Sequence, residues 1–498
     1  MNAAEQLLGA GALARHGAKT ALLCGEEALT YAELSRRTAR SAGALQALGV
    51  QAGDRILLMM RDTPEFAAAW LGTVWTGAVA IALNSKLPPA DLRHIVRDSS
   101  AQLALLDDAL SSEGRALAGE VRVVGSEEWR STLASASEVR AFPASADTPA
   151  LELYSSGTTG RPKGILHRHR SITCVGASFR AIGLDETDRV FTTSRLFFAY
   201  GIEHGLLAPL ALGATAVLCA DWPDNEAIVD VVSRLRPTAM FSVPTVYRRL
   251  LGEAPQRLMP FRSIRRFVAG GERLSTQLYA RWRNATGAEL LNLYGMSETF
   301  CACMVTPPGS SDGLRSGKLL PGIEVRLLDA QGVETPAGEP GVLWLRHPAQ
   351  ADGYANLAEE TRAQFRDGWF CSRDLFTRDS EGHYTHQGRS DELIKVAGQW
   401  VQPAELEEAA AREAAVGEAA CVPFNDADGL ERLALFVTPR GDAAAAQRAA
   451  LEACERALPR HKRPKWVRAV DELPRTATGK IQRYKLREIL ERELAAKD

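Results

Sequence analysis

Short apolar strands alternate with helical stretches through most of the chain from Thr30 onward. These strands are four to six residues long and almost free of charged side chains, as at residues 55–60, 78–83, 103–106, 214–218 and 238–241. A strand without alternating polar residues is buried on both faces, which is typical of parallel sheets covered by helices. The sequence therefore predicts an α/β fold, with a large N-terminal domain of parallel-rich sheets packed with helices.

The pattern changes twice in the second half of the chain. Residues 314–385 have short strands, many glycines and tight-turn pairs, which predict a small β-rich subdomain. After Gly388 the sequence predicts a compact α+β unit of about 110 residues, a normal domain size. Its expected elements are a helix beginning near Pro403, strands at 419–422 and 433–437, and a helix at 443–458 capped by Asp442. We therefore predict an N-terminal domain of residues 1–388 and a small C-terminal domain of residues 389–498.

Composition argues against several classes of protein. Lys plus Arg (59) nearly balances Asp plus Glu (61), so no large basic face points to a nucleic-acid partner. The eight cysteines are scattered, and the close pair Cys301 and Cys303 has no second pair with which to form a zinc site. Reduced thiols and an N-terminus without signal-peptide order lead us to expect a cytoplasmic protein. The apolar stretch at 66–83 divides into a helix at 64–75 and a strand at 78–83, so we expect buried core and no membrane span.

Hydroxyl groups and glycines are concentrated in residues 154–164, Tyr-Ser-Ser-Gly-Thr-Thr-Gly-Arg-Pro-Lys-Gly. Backbone N–H groups in such a loop can approach phosphate closely, and Lys163 adds positive charge. The spacing is not the Walker pattern, because no Gly-Lys-Ser/Thr closes it. Composition alone leaves a phosphate loop and a plain surface loop equally open.

Five segments resemble, in chain order, the motifs of the adenylate-forming superfamily, which includes acyl-CoA synthetases, carrier-protein adenylation domains and luciferases. The segments are residues 154–164, 294–298, 371–374, 388–395 and 474–481. They span some 330 residues, which makes a chance match negligible. The resemblance implies an enzyme that uses ATP and Mg²⁺ to activate a carboxylic acid as its acyl-adenylate, and then transfers the acyl group to a thiol.

The resemblance also implies roles for individual residues. The nucleotide-binding residues are Ser155, Ser156, Gly157, Thr158, Thr159, Gly160 and Lys163 at the phosphates, Asp374 at the ribose, and Gly271, Glu272, Tyr294, Gly295, Ser297 and Lys395 elsewhere in the site. Glu298 and Thr158 would hold Mg²⁺, since a hard cation prefers oxygen ligands. Arg389 would contact the ribose or a phosphate. Lys480 would place its ammonium group between the acid and the α-phosphate and offset their repulsion, and no general base is needed because the acid is ionised at pH 7.

The second step needs a different wall of the active site, and members of the family rotate the C-terminal domain to supply it. Asp391 stands at the hinge position, where a few residues absorb a backbone change. Gly398 would line the narrow thiol tunnel. Basic residues between Arg463 and Arg483 favour coenzyme A as the acceptor, and a carrier-protein phosphopantetheine is the alternative. A homodimer is left open.

The segment Leu196-Phe197-Phe198-Ala199-Tyr200-Gly201 resembles part of the aryl pocket of benzoate-CoA ligases. The resemblance implies that Phe198, Ala199, Tyr200, Gly201 and Cys301 line a pocket for an aromatic, benzoate-like acid, and core packing of the rings is the alternative. Cys301 replaces a His of the benzoate enzymes, and Glu203 replaces a small residue. Glu203 either faces a polar or amino substituent or points to solvent, and we expect solvent. A substituted benzoate or another compact aryl acid is therefore the expected substrate.

Overall fold

The structure is a computed structural model that describes residues 2–156, 161–396, 399–426, 430–475 and 481–495. Contacts group the chain into a large unit, Met1–Ser372 with Thr377–His386, and a small unit, Arg373–Phe376 with Gln387–Asp498. The expected domain boundary after residue 388 stays a prediction, because grouping by contacts does not test whether the two parts move or fold separately.

The described helices are distributed along the whole chain. They are α1 (Ala3–Leu8), α2 (Ala10–His16), α3 (Tyr31–Ala47), α4 (Pro64–Trp75), α5 (Pro89–Ser99), α6 (Ser126–Ser135), α7 (His169–Thr173), α8 (Ala177–Ala181), α9 (Ala199–Ile202), α10 (Ala208–Leu212), α11 (Asn225–Leu235), α12 (Pro244–Leu250), α13 (Thr276–Thr286), α14 (Ala358–Gln364), α15 (Pro403–Ala411), α16 (Ala443–Ala457) and α17 (Arg483–Ala495). A π-helix at Glu203–Leu207 joins α9 to α10.

The described strands alternate with these helices. They are β1 (Thr20–Cys24), β2 (Glu27–Thr30), β3 (Arg55–Met59), β4 (Val79–Ala82), β5 (Leu103–Leu106), β6 (Arg122–Gly125), β7 (Pro149–Ser156), β8 (Pro162–Arg168), β9 (Arg189–Thr192), β10 (Thr215–Leu218), β11 (Ala239–Ser242), β12 (Arg266–Gly270), β13 (Leu290–Gly295), β14 (Ala302–Val305), β15 (Lys318–Leu319), β16 (Glu324–Leu328), β17 (Gly341–Arg346), β18 (Phe365–Arg366), β19 (Trp369–Arg378), β20 (Tyr384–Arg389), β21 (Ile394–Val396), β22 (Gln399–Val401), β23 (Val416–Asn425), β24 (Glu431–Pro439) and β25 (Trp466–Ala469).

Two mostly parallel sheets form the centre of the large unit. The first has the order β15-β14-β13-β12-β11-β9-β10-β1-β2, and its strands from β13 to β1 are parallel. The second has the order β6-β5-β3-β4-β7-β8, and only its β7–β8 pair is antiparallel among the described pairs. Every side chain of β10 and β11 is buried, as the uncharged strand sequences predict. The predicted α/β fold class is confirmed.

Helix α4 occupies the apolar stretch that has the length of a membrane span. Thr63 caps the helix by accepting a hydrogen bond from the Phe66 N–H, and Pro64 fills the first helical position. All residues of α4 except Glu65 are buried, so the helix is packed on every side by the protein itself. No helix among the described residues combines the length and the apolar composition that are needed to cross a lipid bilayer.

Strands β16 to β20 form a smaller sheet with the order β16-β17-β19-β18 and β20 beside β19. Its β16–β17 and β18–β19 pairs are antiparallel. The sheet is the β-rich subdomain that the glycines and turn pairs of residues 314–385 predict. Two cation–π contacts, from Arg326 and Arg346 to the ring of Trp369, lie at 4.4 and 4.5 Å.

The small unit packs helices α15 to α17 around the sheet β23-β24-β25. Strand β23 is antiparallel to β24, and β24 is parallel to β25. Asp442 caps α16 by accepting from the Ala445 N–H, and Pro403 begins α15, as the sequence predicts. A separate hairpin pairs β21 with β22.

Candidate active site

The ends of the predicted phosphate loop are fixed by a strand pair. Strands β7 and β8 are antiparallel, with Ser155 opposite Lys163 and Tyr154 opposite Gly164. Lys163 Nζ lies 3.6 Å from Glu360 Oε1 and 5.5 Å from the centre of the Tyr354 ring. The predicted phosphate-binding residues Gly157, Thr158, Thr159 and Gly160 lie outside the described residues. The structure therefore gives the base of this loop, including the backbone of Ser156, and not its tip.

The second motif follows β13 directly. Tyr294 and Gly295 end that strand, and a 3₁₀ turn at Ser297–Thr299 carries Glu298. The Tyr354 hydroxyl donates a hydrogen bond of 2.8 Å to Glu298 Oε1, and the Ala351 N–H donates to the Glu298 carbonyl oxygen at 2.9 Å. Since Tyr354 also lies beside Lys163, one tyrosine connects the phosphate-loop lysine to the predicted metal ligand.

Strand β8 supports both motifs. Tyr354 forms a β-bridge with Ile165, and the Ala355 N–H donates to the Gly164 carbonyl oxygen at 2.8 Å. Further along the strand, His167 Nε2 lies 2.7 Å from the Ser297 carbonyl oxygen. Burial lowers the pKa of His167 to about 4, so its ring is neutral and carries one N–H. That N–H donates to one of two carbonyl oxygens, that of Ser297 beside Nε2 or that of Ala349, which lies 3.2 Å from Nδ1.

A carboxylate at the position of Glu298 suits Mg²⁺. This ion is usually bound through one or two protein carboxylates together with substrate phosphates. Glu298 supplies one such carboxylate, and Tyr354 fixes its orientation. The donor chemistry therefore fits the metal that the sequence implies.

Gly271 and Glu272 lie just beyond the end of β12. Gly271 has φ +79°, a left-handed conformation that favours glycine. Glu272 Oε2 accepts hydrogen bonds from the Thr245 N–H at 3.1 Å and the Thr245 hydroxyl at 2.7 Å, at the start of α12. These residues and Tyr294 therefore lie at the carboxyl ends of parallel strands, where open α/β sheets bind ligands.

In the small unit, Arg389 lies between two carboxylates. Its guanidinium makes two hydrogen bonds of 2.8 Å to Asp391 and one of 3.5 Å to Asp374. Burial opposes the charge, but the Asp391 hydrogen bond and the charges of both carboxylates outweigh it and raise the pKa of Arg389. The structure thus brings together the predicted ribose ligand, the predicted hinge residue and a predicted catalytic arginine.

Of three further predicted residues, the structure describes only the backbone of Lys395. Lys395 lies on β21, opposite Trp400 in the backbone register of the β21–β22 hairpin. Lys480 and Gly398 lie outside the described residues. Their roles stay predictions.

The segment that resembles an aryl pocket begins helix α9. Phe198 precedes the helix, and its ring centre lies 4.4 Å from that of Phe197. The Tyr200 hydroxyl lies 3.3 Å from the Ser242 carbonyl oxygen, at the end of β11. A Cβ atom on Gly201 would lie 1.9 Å from the Arg195 carbonyl oxygen, so a larger residue does not fit there. Ala199, Tyr200 and Gly201 therefore lie on a short helix beside the carboxyl edge of the large sheet.

The chain segment after Glu298 contributes Cys301 to the same region. Phe300, which is 2% exposed, has φ +58°, a strained conformation for a residue other than glycine. Cys301 is buried, with its Sγ 3.6 Å from the Ser171 carbonyl oxygen.

Residues 201–210 around the π-helix are all buried. The expectation that Glu203 points to solvent is therefore wrong, because this helix has no exposed face and Glu203 is 2% exposed.

Sequence reasoning missed Tyr354 and His167. Tyr354 lies 56 residues after Glu298, and no local pattern joins the two positions. His167 is part of the run His167-Arg168-His169-Arg170, which reads as a local basic cluster. Arg168 and Arg170 do form exposed ion pairs with Asp352. In a strand, side chains two positions apart lie on the same face, so His167 shares the buried face of the apolar Ile165 while Arg168 lies on the other; this period of two is the signal that could have separated His167 from the cluster.

Two family models match the chain: AMP-binding enzyme over residues 10–355, and AMP-binding enzyme C-terminal domain over residues 405–480. The 3-hydroxybenzoate–CoA/4-hydroxybenzoate–CoA ligase of Thauera aromatica is 38% identical over 513 residues, which cover 99% of this chain and 98% of that protein.

Solved structures are similar over almost the full length. An anthranilate CoA ligase in complex with anthranoyl-AMP has a TM-score of 0.91 and 31% identity, covering 98% of this chain and 97% of that one. A benzoate CoA ligase from Burkholderia xenovorans LB400 has a TM-score of 0.89 and 33% identity, covering 98% of this chain and 100% of that one. These matches confirm the resemblance carried by the five motifs. The chain belongs to the AMP-binding enzyme family.

Proposed function

We propose that this protein is an ATP-dependent ligase that activates a benzoate-like carboxylic acid as its acyl-adenylate and transfers the acyl group to coenzyme A. The observation that carries the proposal is the position of Tyr200. Its hydroxyl lies 3.3 Å from the carbonyl oxygen of Ser242 and 3.4 Å from that of Val268. The predicted aryl segment thus reaches the strand ends beside which Gly271 and Glu272 lie, so acid and nucleotide would meet at one sheet edge.

In the first step, a carboxylate oxygen of the acid attacks the α-phosphorus of ATP, and pyrophosphate leaves. The loop from Ser155 to Lys163 would hold the phosphates, and Glu298 with Thr158 would hold Mg²⁺, which neutralises phosphate charge. Lys480 would supply the cation between the two anionic reactants. Tyr354 keeps Glu298 in place for this step.

In the second step, the thiol sulfur attacks the acyl carbon and AMP leaves. We assign this step to a rearranged C-terminal domain of residues 389–498 that turns at Asp391, with Gly398 lining the path of the thiol. Arg389, held by Asp374 and Asp391, would contact the ribose or a phosphate. The two relatives that act on hydroxybenzoates and anthranilate support a substituted aryl acid and coenzyme A as substrates.

The decisive experiment offers the purified protein ATP, Mg²⁺ and a panel of acids, with and without coenzyme A. We expect aryl acids to release pyrophosphate in the adenylation step, and AMP and the thioester, identified by its mass, to appear only when coenzyme A is present. AMP formation without any coenzyme A thioester, together with loading of a carrier protein, would favour the carrier-protein alternative. A preference for long-chain fatty acids over every aryl acid would overturn the proposed aryl pocket.

A further inference from the structure

Glu203 is a buried carboxyl group with no cationic partner in the part of the chain that the structure describes. Among the described residues, His204 is the one basic side chain within ion-pairing distance of its carboxyl, with Nδ1 at 3.5 Å. That nitrogen lies closer, at 3.0 Å, to the Tyr200 carbonyl oxygen, to which it donates. The Ser178 hydroxyl donates to the other ring nitrogen, Nε2, at 3.3 Å. Burial lowers the pKa of His204 to about 3, so its ring is neutral and gives Glu203 no compensating positive charge.

The surroundings of Glu203 keep its carboxyl group neutral. The Ala302 N–H donates to it at 3.2 Å, and the Cys301 thiol lies within hydrogen-bonding reach. Burial outweighs these two contacts and raises the pKa of Glu203 to about 8. A protonated carboxyl group both donates and accepts a hydrogen bond, so it can bind a neutral polar group.

Glu203 lies between the two chain segments that the sequence assigns to the aryl pocket. It opens the π-helix two residues after Gly201, and such interruptions of α-helices are frequent at functional sites. Its carboxyl contacts Cys301 and Ala302, which follow the strained Phe300. Glu203 therefore joins the two chain segments, 198–201 and 301, that the sequence assigns to the aryl pocket.

We propose that Glu203 is a specificity-determining residue, whose carboxyl group hydrogen bonds a hydroxyl or amino substituent on the aromatic ring of the acid. This inference rests on the proposed function, since it names the substrate class of the same pocket. A site built to hydrogen bond a polar group disfavours the analogue that lacks it, because the buried partner is then left unpaired.

The test compares kcat/KM for benzoate, the three hydroxybenzoates and the three aminobenzoates, read by pyrophosphate release. We expect at least one substituted acid to exceed benzoate by roughly 10- to 100-fold. Glu203→Leu should lower kcat/KM for the preferred substituted acid and leave that for benzoate nearly unchanged, so that most of the ratio between the two is lost. Glu203→Gln, which keeps a donor and an acceptor, should retain part of it. Asp188→Asn, at another buried carboxyl that pairs with Arg265, should leave the ratio unchanged.

The possible outcomes distinguish failure of this inference from failure of the proposed ligase function. Turnover of aryl acids with the same ratio in the wild type, Glu203→Leu and Glu203→Gln would overturn the inference and leave the ligase function standing. A purely structural role of Glu203 would lower kcat/KM for all acids by one common factor. The ratio would then be unchanged, and the inference would be overturned. Absence of pyrophosphate release with every aryl acid, in a folded wild type, would instead overturn the proposed function. Should Glu203→Leu fail to fold, the ratio measured with Glu203→Gln decides.

Discussion

The hydroxyl group of Tyr354 donates a hydrogen bond of 2.8 Å to Oε1 of Glu298, and Gln364 Oε1 lies 3.2 Å from the same hydroxyl. The ring of Tyr354 lies under the Lys163 ammonium group at 5.5 Å. Tyr354 therefore orients one charged side chain through its hydroxyl and contacts another through its ring.

Replacing Tyr354 by Phe should weaken the first half-reaction. A hydrogen bond to a charged acceptor contributes about 1.5 kcal/mol, so we expect kcat for pyrophosphate release to fall about 10-fold. The Mg²⁺ concentration for half-maximal rate should rise, because Glu298 loses its orienting donor. Tyr279→Phe on α13 is the matched control and should change neither quantity. An unchanged Mg²⁺ dependence in the Tyr354 variant would contradict the role of this contact.

Replacing Lys480 by Ala should separate the two half-reactions. Loss of one positioned cation costs about 10²- to 10³-fold in adenylation, measured as pyrophosphate release. Thioester formation from synthetic acyl-adenylate and coenzyme A should be much less affected, because no phosphoryl transfer remains in that step. Lys485→Ala removes an exposed lysine of α17 and should behave as wild type. Equal losses in both half-reactions would argue against the assigned role.

Replacing Gly201 by Ala should destabilise the large unit. The added Cβ would fall 1.9 Å from the Arg195 carbonyl oxygen, and a backbone atom cannot move aside as a flexible side chain would. Overpacking of this kind costs about 1–3 kcal/mol in the free energy of unfolding. The denaturant midpoint measures it. The control Gly11→Ala lies on α2 with its nearest neighbouring atom at 4.0 Å, and should be neutral or stabilising.

Glu203 should make stability depend on pH in a defined window. Its pKa in the folded protein is about 8, above the ordinary 4.5, so the folded state holds the proton more tightly than the unfolded state. The contribution is complete below pH 4.5, declines as pH rises, and is lost above pH 8. The free energy of unfolding of the wild type, minus that of Glu203→Gln, should therefore fall by a few kcal/mol across this window, at about 1.4 kcal/mol per pKa unit. A constant difference would show that Glu203 does not titrate in this way.

Local patterns predicted the elements well where one signal dominates. Helix α4 has the predicted bounds, because Thr63 and Pro64 define its start and the apolar run defines its body. The strand Leu103–Leu106 also has its predicted limits. Lys163 of the phosphate loop and Glu298 both contact Tyr354. The ordered motifs suggested that these two residues share a site only through resemblance to a family.

The sequence failed where burial depends on distant packing. Glu203 is polar and adjacent to His204, a pair that ordinarily lies at a surface. Its burial follows from the π-helix and from Ala302, whose N–H reaches it from 99 residues away. Tyr354 and His167 were missed for the same reason, since each acts across a contact between segments far apart in the chain.

Strand β8 links the parts of the candidate site that meet the nucleotide. Lys163 lies near its start, Tyr354 bridges to it at Ile165, and His167 near its end holds the Ser297 carbonyl. Because β8 is paired with β7 along its length, it holds Lys163 and the Glu298 segment at a separation that is set during folding, before any nucleotide binds. Binding then needs no reorganisation of these two charges relative to each other, and electrostatic preorganisation of this kind is where enzymes gain much of their rate.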